Sequence, residues 1–470
     1  MKHKILGIVI IMLMTVTVFP VVGFPSQTGE VNNPNFSQPL YQAPTPKYAQ
    51  IPSPEPILDI PIICEHPEKT AATMDNIVRN MLEQVDETIY LCYLENLTAF
   101  GPRYTGSDAC HAAAEYIYNQ FEIIGLVVRY HHWGHGDNVE ATINGTDESS
   151  DEIYIICAHY DTPSLSPGAD DDASGTVAVL MTAFIMSQSQ YKFNYTIKFV
   201  VFSGEEQGML GSQVYVADAA DEGWNIVGVL NADMISYAET TSDGNNLIVF
   251  ENGASEWLYD YTLGISIEYA DYIQLGLSHG GSTWGSDHYY FWREGYSALF
   301  YFESTETPFY HTSNDTIAHI NATYAVKNIR LMLATLAELS EVSHNNPPAK
   351  PVLTGASSGV INQAYNLSVV TTEPDGEDVY FLIDWGDGQV DEWVGPFNSG
   401  AIALIAHQWV EEGNYTIQVK AKDIFGAESD WGTLEITMPT SYKKPMLWLR
   451  EKLIEWFPDA FLLLRHLIRY

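Results

Sequence analysis

Positive charge is what this sequence has least of. Its 470 residues hold 21 Lys and Arg against 60 Asp and Glu, a formal net charge of −39. A phosphate backbone needs a basic face, so nucleic acid is excluded as a partner. The balance fits a soluble protein in a salty or calcium-containing medium. Charged residues together make up only 17% of the chain, which argues against an extreme salt-adapted surface. Cysteine is also scarce, limited to Cys64, Cys92, Cys110 and Cys157. Four thiols in an exported chain permit two disulfides in three connectivities, and the sequence does not choose among them. Cys157, at the end of an apolar run, reads equally well as a buried thiol. Long apolar stretches are missing after the N-terminus, so no later segment is expected to span a bilayer. At the start, Lys2 and Lys4 precede the apolar run 5–18, which Pro20 breaks. That pattern reads as a secretory signal cleaved near Gly23, the alternative being a retained membrane anchor. The chain is therefore expected to be secreted, extracellular or at the cell surface. Asn-x-Ser/Thr sequons, among them those at Asn96, Asn194, Asn366 and Asn414, suit export.

What is present divides the chain into segments. Hydrophobic residues at 46% are ample for a core, and the length exceeds one typical domain. After the signal (1–23) comes a Pro/Gln-rich linker or propeptide (24–64). An α/β domain is expected over 65–344, a short linker NNPPAK over 345–350 and an all-β sandwich over 351–440. The last segment, 441–470, carries six of the 21 basic residues on an amphipathic helix. That helix rests on a membrane surface or cell envelope, on a partner, or on the protein's own core. Within 65–344, helical spacing predicts helices over 73–97, 108–124, 176–189, 255–267 and 321–343. Apolar runs predict strands over 126–130, 139–143, 153–157, 195–202, 226–230, 247–250 and 298–302. Strand and helix alternate through the middle, which predicts a mixed, mainly parallel sheet flanked by helices. His131, His132 and His135 fall in the segment 131–137, read as a surface loop rather than a metal site. The Gly/Ser-rich stretch 277–286 is expected as a loop over the functional edge.

That edge is defined by the segments at the carboxyl ends of three successive strands. HYDTPSLSPGADDDASG (159–175) leaves the first, SGEE (203–206) the second and NAD (231–233) the third. Open α/β sheets bind ligands beyond the carboxyl ends of their strands. A single acidic strand end is ordinarily a solvated, helix-capping loop. Three in a row would bring carboxylates and imidazole to one rim, which suggests a metal. The candidate ligands are His159, Asp171, Glu206, Asp233 and His311. Two imidazoles and three carboxylates are one residue short of two three-ligand sites, and a bridging carboxylate closes the gap. Glu205, beside a proposed ligand, is then free to act as general base.

AHYD (158–161), PGADDDASG (167–175), FSGEEQGMLGS (202–212), LNADMIS (230–236) and YHTSNDT (310–316) resemble the di-zinc exopeptidases of the aminopeptidase Y / bacterial leucyl aminopeptidase family. The resemblance covers roughly 73–343. It implies the zinc exopeptidase fold and two Zn2+ per domain, with Co2+ or Mn2+ as possible substitutes. His159 and Asp233 would hold one ion, Glu206 and His311 the other, with Asp171 bridging. Asp161 would orient the His159 imidazole, and Asp172 would stand behind the ligands, joined to Asp171 by a cis peptide. Glu205 would act as base and Tyr310 would polarise the scissile carbonyl. The implied activity is aminopeptidase action on peptide or protein substrates. Within the same clan, carboxypeptidases and glutaminyl cyclases are alternatives, and a non-catalytic surface-binding protein is a further one. The WGDG turn at 385–388, EPDG at 373–376 and the strand 415–423 resemble PKD-type sandwich domains. Their acidic turns read as solvated rather than as calcium sites. The sequence indicates neither the preferred terminal residue nor the oligomeric state.

Overall fold

A computed structural model describes Cys64 and residues 77–439. The expected signal, almost all of the 24–64 linker and the 441–470 helix lie outside the described residues. The chain enters through helices α1 (Ile77–Leu82), α2 (Glu87–Thr98) and α3 (Asp108–Ile123). The single helix expected over 73–97 is thus two. Asp86 caps the second, accepting from the amides of Thr88 and Ile89, and so ends the first. Cys64 is disulfide-bonded to Cys92, while Cys110 and Cys157 are buried thiols.

Ten strands follow in this domain: β1 (Val127–Trp133), β2 (Gly136–Ile143), β3 (Glu152–His159), β4 (Tyr191–Phe193), β5 (Thr196–Phe202), β6 (Asn225–Ala232), β7 (Asn246–Phe250), β8 (Gly276–Gly281), β9 (Ala298–Glu303) and β10 (Val342–His344). Between them lie α4 (Ala173–Met186), α5 (Leu210–Asp221), α6 (Glu256–Glu268), α7 (Ala270–Ile273), α8 (His288–Arg293) and α9 (Ala322–Leu339). Eight strands form one sheet in the order β1-β2-β5-β3-β6-β9-β7-β8. Its centre, β5-β3-β6-β9, is parallel, and β2 and β7 join it antiparallel. Central strands buried on both faces are near-continuous apolar runs, and β3 and β5 read that way. Helix α4 is apolar almost all round and buried along its length, as a helix between a sheet and other helices must be. It packs on β3, β5 and β6 and is covered by α2 and α9.

Two expectations are corrected. The segment 131–137 is no loop: β1 runs to Trp133, and only Gly134 and His135 turn the hairpin. Trp133 is buried and its indole N–H donates to Ser203 Oγ, which holds the strand down. The stretch 277–286 is a loop only in its second part, because 276–281 pairs with β7 as an edge strand. Edge strands are not selected for apolarity, so composition hides them. The short β4 and β10, which pair with each other, were not expected.

The C-terminal sandwich comprises β11 (Val352–Thr354), β12 (Tyr365–Val370), β13 (Val379–Asp384), β14 (Val390–Phe397), β15 (Ala403–His407), β16 (Gly413–Lys422) and β17 (Gly432–Met438). Its two sheets are β11-β12-β15 and β14-β13-β16-β17. Trp385, Trp409 and Phe381 anchor a core separate from that of the α/β domain. Asn345 ties the two domains, donating to Ser189 O at 2.7 Å and to Asp423 at 2.8 Å. Lys192 pairs with Asp375 and Glu377 across the same junction. Among the described residues, no helix is long and apolar enough to cross a membrane.

Candidate metal centre

Parallel pairing of β3 with β5 and β6, and of β6 with β9, sends four chain segments off one edge of the sheet. His159 closes β3 and is 1% exposed. Its Nδ1 lies 3.1 Å from the Asp161 carbonyl oxygen, and its backbone N–H donates to Asp172 Oδ2 at 3.2 Å. With Nδ1 occupied, Nε2 faces the cluster, 3.4 Å from Asp171 Oδ1 and 3.7 Å from Asp233 Oδ1. Asp161 thus reaches the imidazole mainly through its backbone. Its carboxylate lies 3.6 Å from Nδ1 and also gathers the amides of Glu205 and Glu206 at 3.2 and 3.3 Å.

The three consecutive aspartates point in different directions. Asp170 accepts from the Ser236 amide and hydroxyl. Asp172 caps α4 at the Gly175 amide and also accepts from the Met234 and His159 amides, which commits both of its oxygens. Asp171 is left facing inward, and the bond joining it to Asp172 is cis. Its Oδ1 meets His159 and its Oδ2 lies 3.2 Å from His311 Nε2. His311 Nε2 is also 3.0 Å from Glu206 Oε2. Asp172 lies as close to His159 and Asp233 as a ligand would. With its oxygens taken by backbone amides, Asp171 is the better candidate to span the two groups.

The supporting residues include several that sequence reasoning missed. The Arg103 guanidinium is fully buried and clamps the loop through the carbonyls of Tyr160, Pro167 and Gly168. Asp315, inside the YHTSNDT motif, accepts from the amides of Asp170 and Asp171. Ser286 donates to Asp233 Oδ2 at 2.6 Å and itself accepts from Asn231. Glu303, at the end of β9, accepts from Tyr237 and Thr307 amides and shapes the path to His311. Of these, Asp315 lies inside a motif and Ser286 closes the stretch 277–286 expected over the functional edge, whereas Arg103 and Glu303 carry no such signal.

The electrostatics are those of crowded anions. Burial pushes the Asp171 carboxyl up, but His159 and His311 outweigh it and hold it at about 2. Burial raises Glu206 to about 7 and Glu205 well above the usual carboxylate range. Burial pulls His311 down, yet Asp171 and Glu206 lift it to about 10. His159 is raised likewise, its carboxylate neighbours overcoming burial. Protons here balance negative charge that a cation would balance better. Among the described residues, His159 Nε2, Asp171 Oδ2 and Glu206 Oε1 are buried without hydrogen-bond partners. Orphaned imidazole nitrogen and carboxylate oxygen are a donor set that fits zinc, cobalt or manganese.

A cavity of about 200 Å³ opens beside Asp171, Glu205 and Asp233. Met234, Phe250, Phe300 and Phe302 form its apolar wall, and Thr283, Gly285, Glu306 and Tyr310 complete it. The Tyr310 ring stacks on His311 with centroids 3.7 Å apart. Partial burial and the carboxylates around it raise its phenol, which stays protonated as a donor.

Residues 138–336 match the model of peptidase family M28, and 352–436 match that of the PKD domain. The chain is similar to leucine aminopeptidase 1 of Sclerotinia sclerotiorum, 29% identical over 298 residues that cover 57% of this chain and 75% of that protein. Leucine aminopeptidase 1 of Paracoccidioides brasiliensis (Pb03) is 26% identical over 311 residues, covering 60% and 78%. Among solved structures, LapB from Legionella pneumophila aligns at TM-score 0.52 and 25% identity, over 57% of this chain and 76% of that one. The LapA aminopeptidase of the same organism shares the fold at TM-score 0.52 and 22% identity, over 58% and 78%. The chain therefore joins a peptidase family M28 domain to a C-terminal PKD domain.

Proposed function

We propose that this protein is a metal-dependent aminopeptidase that works outside the cell and removes N-terminal residues from peptides and proteins. The observation that carries the reading is Asp171, whose two oxygens face the two imidazoles His159 and His311. Asp233 would complete one ion's ligands and Glu206 the other's. A divalent pair bound there supplies Lewis-acid polarisation of the peptide carbonyl and acidifies water. Glu205 Oε2 lies 4.0 Å from His159 Nε2 without belonging to either ligand group. It takes the proton from the attacking water and passes it to the leaving amine. The Glu205 carboxyl would act in its basic form once bound cations replaced the buried protons. The Tyr310 hydroxyl donates to the carbonyl oxygen as charge develops on it. Asp161 keeps the base in position by holding the Glu205 amide. The leucine aminopeptidases among the relatives support the direction of cleavage, and the apolar N-terminal segment supports export.

The test is purified full-length chain with Zn2+ acting on one peptide in free, N-acetylated and C-amidated forms. Stepwise loss from the free amino end, resistance of the acetylated form and inactivation by chelator are expected. Shortening of the acetylated peptide from its carboxyl end, or cyclisation of an N-terminal Gln, would overturn the assignment.

A further inference from the structure

Glu306 is the one cavity carboxylate with no part in the proposed chemistry. It lines the same cavity as Glu205 and Asp233, yet belongs to neither ligand group. Its side chain makes no hydrogen bond or ion pair among the described residues. No Lys or Arg among the described residues lines the cavity to neutralise it. The wall beside it is aromatic. Phe250 on β7 and Phe300 on β9 stack with centroids 5.2 Å apart, and Phe302 packs edge-on to Phe300 at 5.5 Å. Phe300 is backed by His288, centroids 4.9 Å apart, whose imidazole burial keeps neutral. Glu306 follows the end of β9 by three residues, so it shares a segment with Phe300 and Phe302, while Phe250 comes from β7.

Resting on the aminopeptidase reading, we infer that this cavity takes the side chain of the substrate's first residue and that Glu306 selects a cationic one, Lys or Arg. Aromatic faces accept a methylene stem and attract a cation through the ring quadrupole. A free carboxylate at the exposed rim then pairs with the ammonium or guanidinium tip, which stays partly hydrated. A purely apolar side chain of equal length gains the wall but not the ion pair. Met234 and the three phenylalanines set the fit of the stem, and Glu306 sets the charge.

Norleucine matches the lysine stem without its charge, so the test compares lysyl-, arginyl- and norleucyl-4-nitroanilide on the zinc-loaded full chain. The kcat/KM ratio of lysyl over norleucyl substrate should favour lysine by about fivefold, the upper range for a solvent-screened ion pair, and fall towards one in Glu306→Gln. A second readout is thermal: free lysine should raise Tm more than free norleucine, and Glu306→Gln should erase the difference. A wild-type preference for norleucine overturns the inference. So does an equal loss on all substrates in Glu306→Gln, which would put the carboxylate on the α-ammonium. If no anilide is cleaved, the hydrolase reading fails, and the Tm comparison still decides what the cavity binds.

Discussion

Exchange of Glu205 for glutamine removes one proton acceptor and changes little else. The side chain keeps its shape, and its backbone amide remains held by Asp161 at 3.2 Å. Because Glu205 is outside both ligand groups, bound metal should be retained. A positioned general base contributes about 10²–10⁴-fold. The upper part of that range applies here, because the other carboxylates in the cavity are placed otherwise: Asp171 and Asp233 face imidazoles and Glu306 is exposed. Glu205→Asp keeps the charge but withdraws it by about 1.5 Å, one C–C bond. A displacement of that size costs about 10²-fold. Steady-state kinetics on leucyl-4-nitroanilide, with elemental analysis of the same samples, reads both effects. The expected pattern is kcat falling in the order wild type, Glu205→Asp, Glu205→Gln, with KM and metal content nearly constant. Glu205→Gln retaining more than a tenth of wild-type kcat, or losing metal in step with activity, would refute the reasoning.

A buried charge cluster offers a test of the fold. Glu140 accepts from Arg129 at 2.9 and 3.0 Å, Lys198 at 2.6 Å and Tyr215 at 2.7 Å. Glu140→Gln strands the Lys198 ammonium and should cost about 3–5 kcal/mol, whereas the double exchange Glu140→Leu with Lys198→Met should recover most of it. Equal losses in single and double variants by denaturant unfolding would contradict this. Burial raises the Glu140 carboxyl, but Arg129, Lys198 and Tyr215 pull it below its ordinary value. Its stabilisation is therefore full above the unfolded carboxyl's pKa of about 4.3 and lost as pH falls through the lower folded value. Glu140→Gln should flatten acid unfolding in that window. Gly175 tests the site's scaffold: a Cβ there would meet Ala232 O at 2.4 Å and both Asp172 oxygens at 2.6 Å. Gly175→Ala should push α4 off β6, cost about 1–3 kcal/mol and weaken zinc binding in a chelator competition. Gly264→Ala, in open space on α6, should gain about 0.5–1 kcal/mol and leave zinc affinity unchanged.

The central strands were readable because double burial turns each into an apolar run that stops where polar chemistry begins. The same stops mark His159, Glu205, Glu206 and Asp233, which is why strand ends and site candidates could be found together. His311 lies beyond a long exit from β9 and was reached only through its motif. Edge elements gave no such signal: 276–281 is Gly-, Ser- and His-bearing because one side of it is unpaired. Arg103 gives no signal in the sequence because a lone cation ordinarily reads as surface, whereas in the structure carbonyl oxygens surround it. The resemblance implies that Asp161 orients the His159 imidazole, without saying through which atom. The structure gives that contact chiefly to its carbonyl oxygen and directs the carboxylate to the amides of Glu205 and Glu206. Backbone roles of this kind leave no trace in residue identity. Spacing alone leaves the cysteine pairing open, and the structure joins Cys64 to Cys92.

The most direct test of the central claim is an anomalous-scattering map at the zinc edge from crystals of the zinc-loaded chain. Two peaks are predicted, one beside His159 and Asp233 and one beside Glu206 and His311, with Asp171 touching both. A single peak, or peaks without contact to Asp171, would contradict the account.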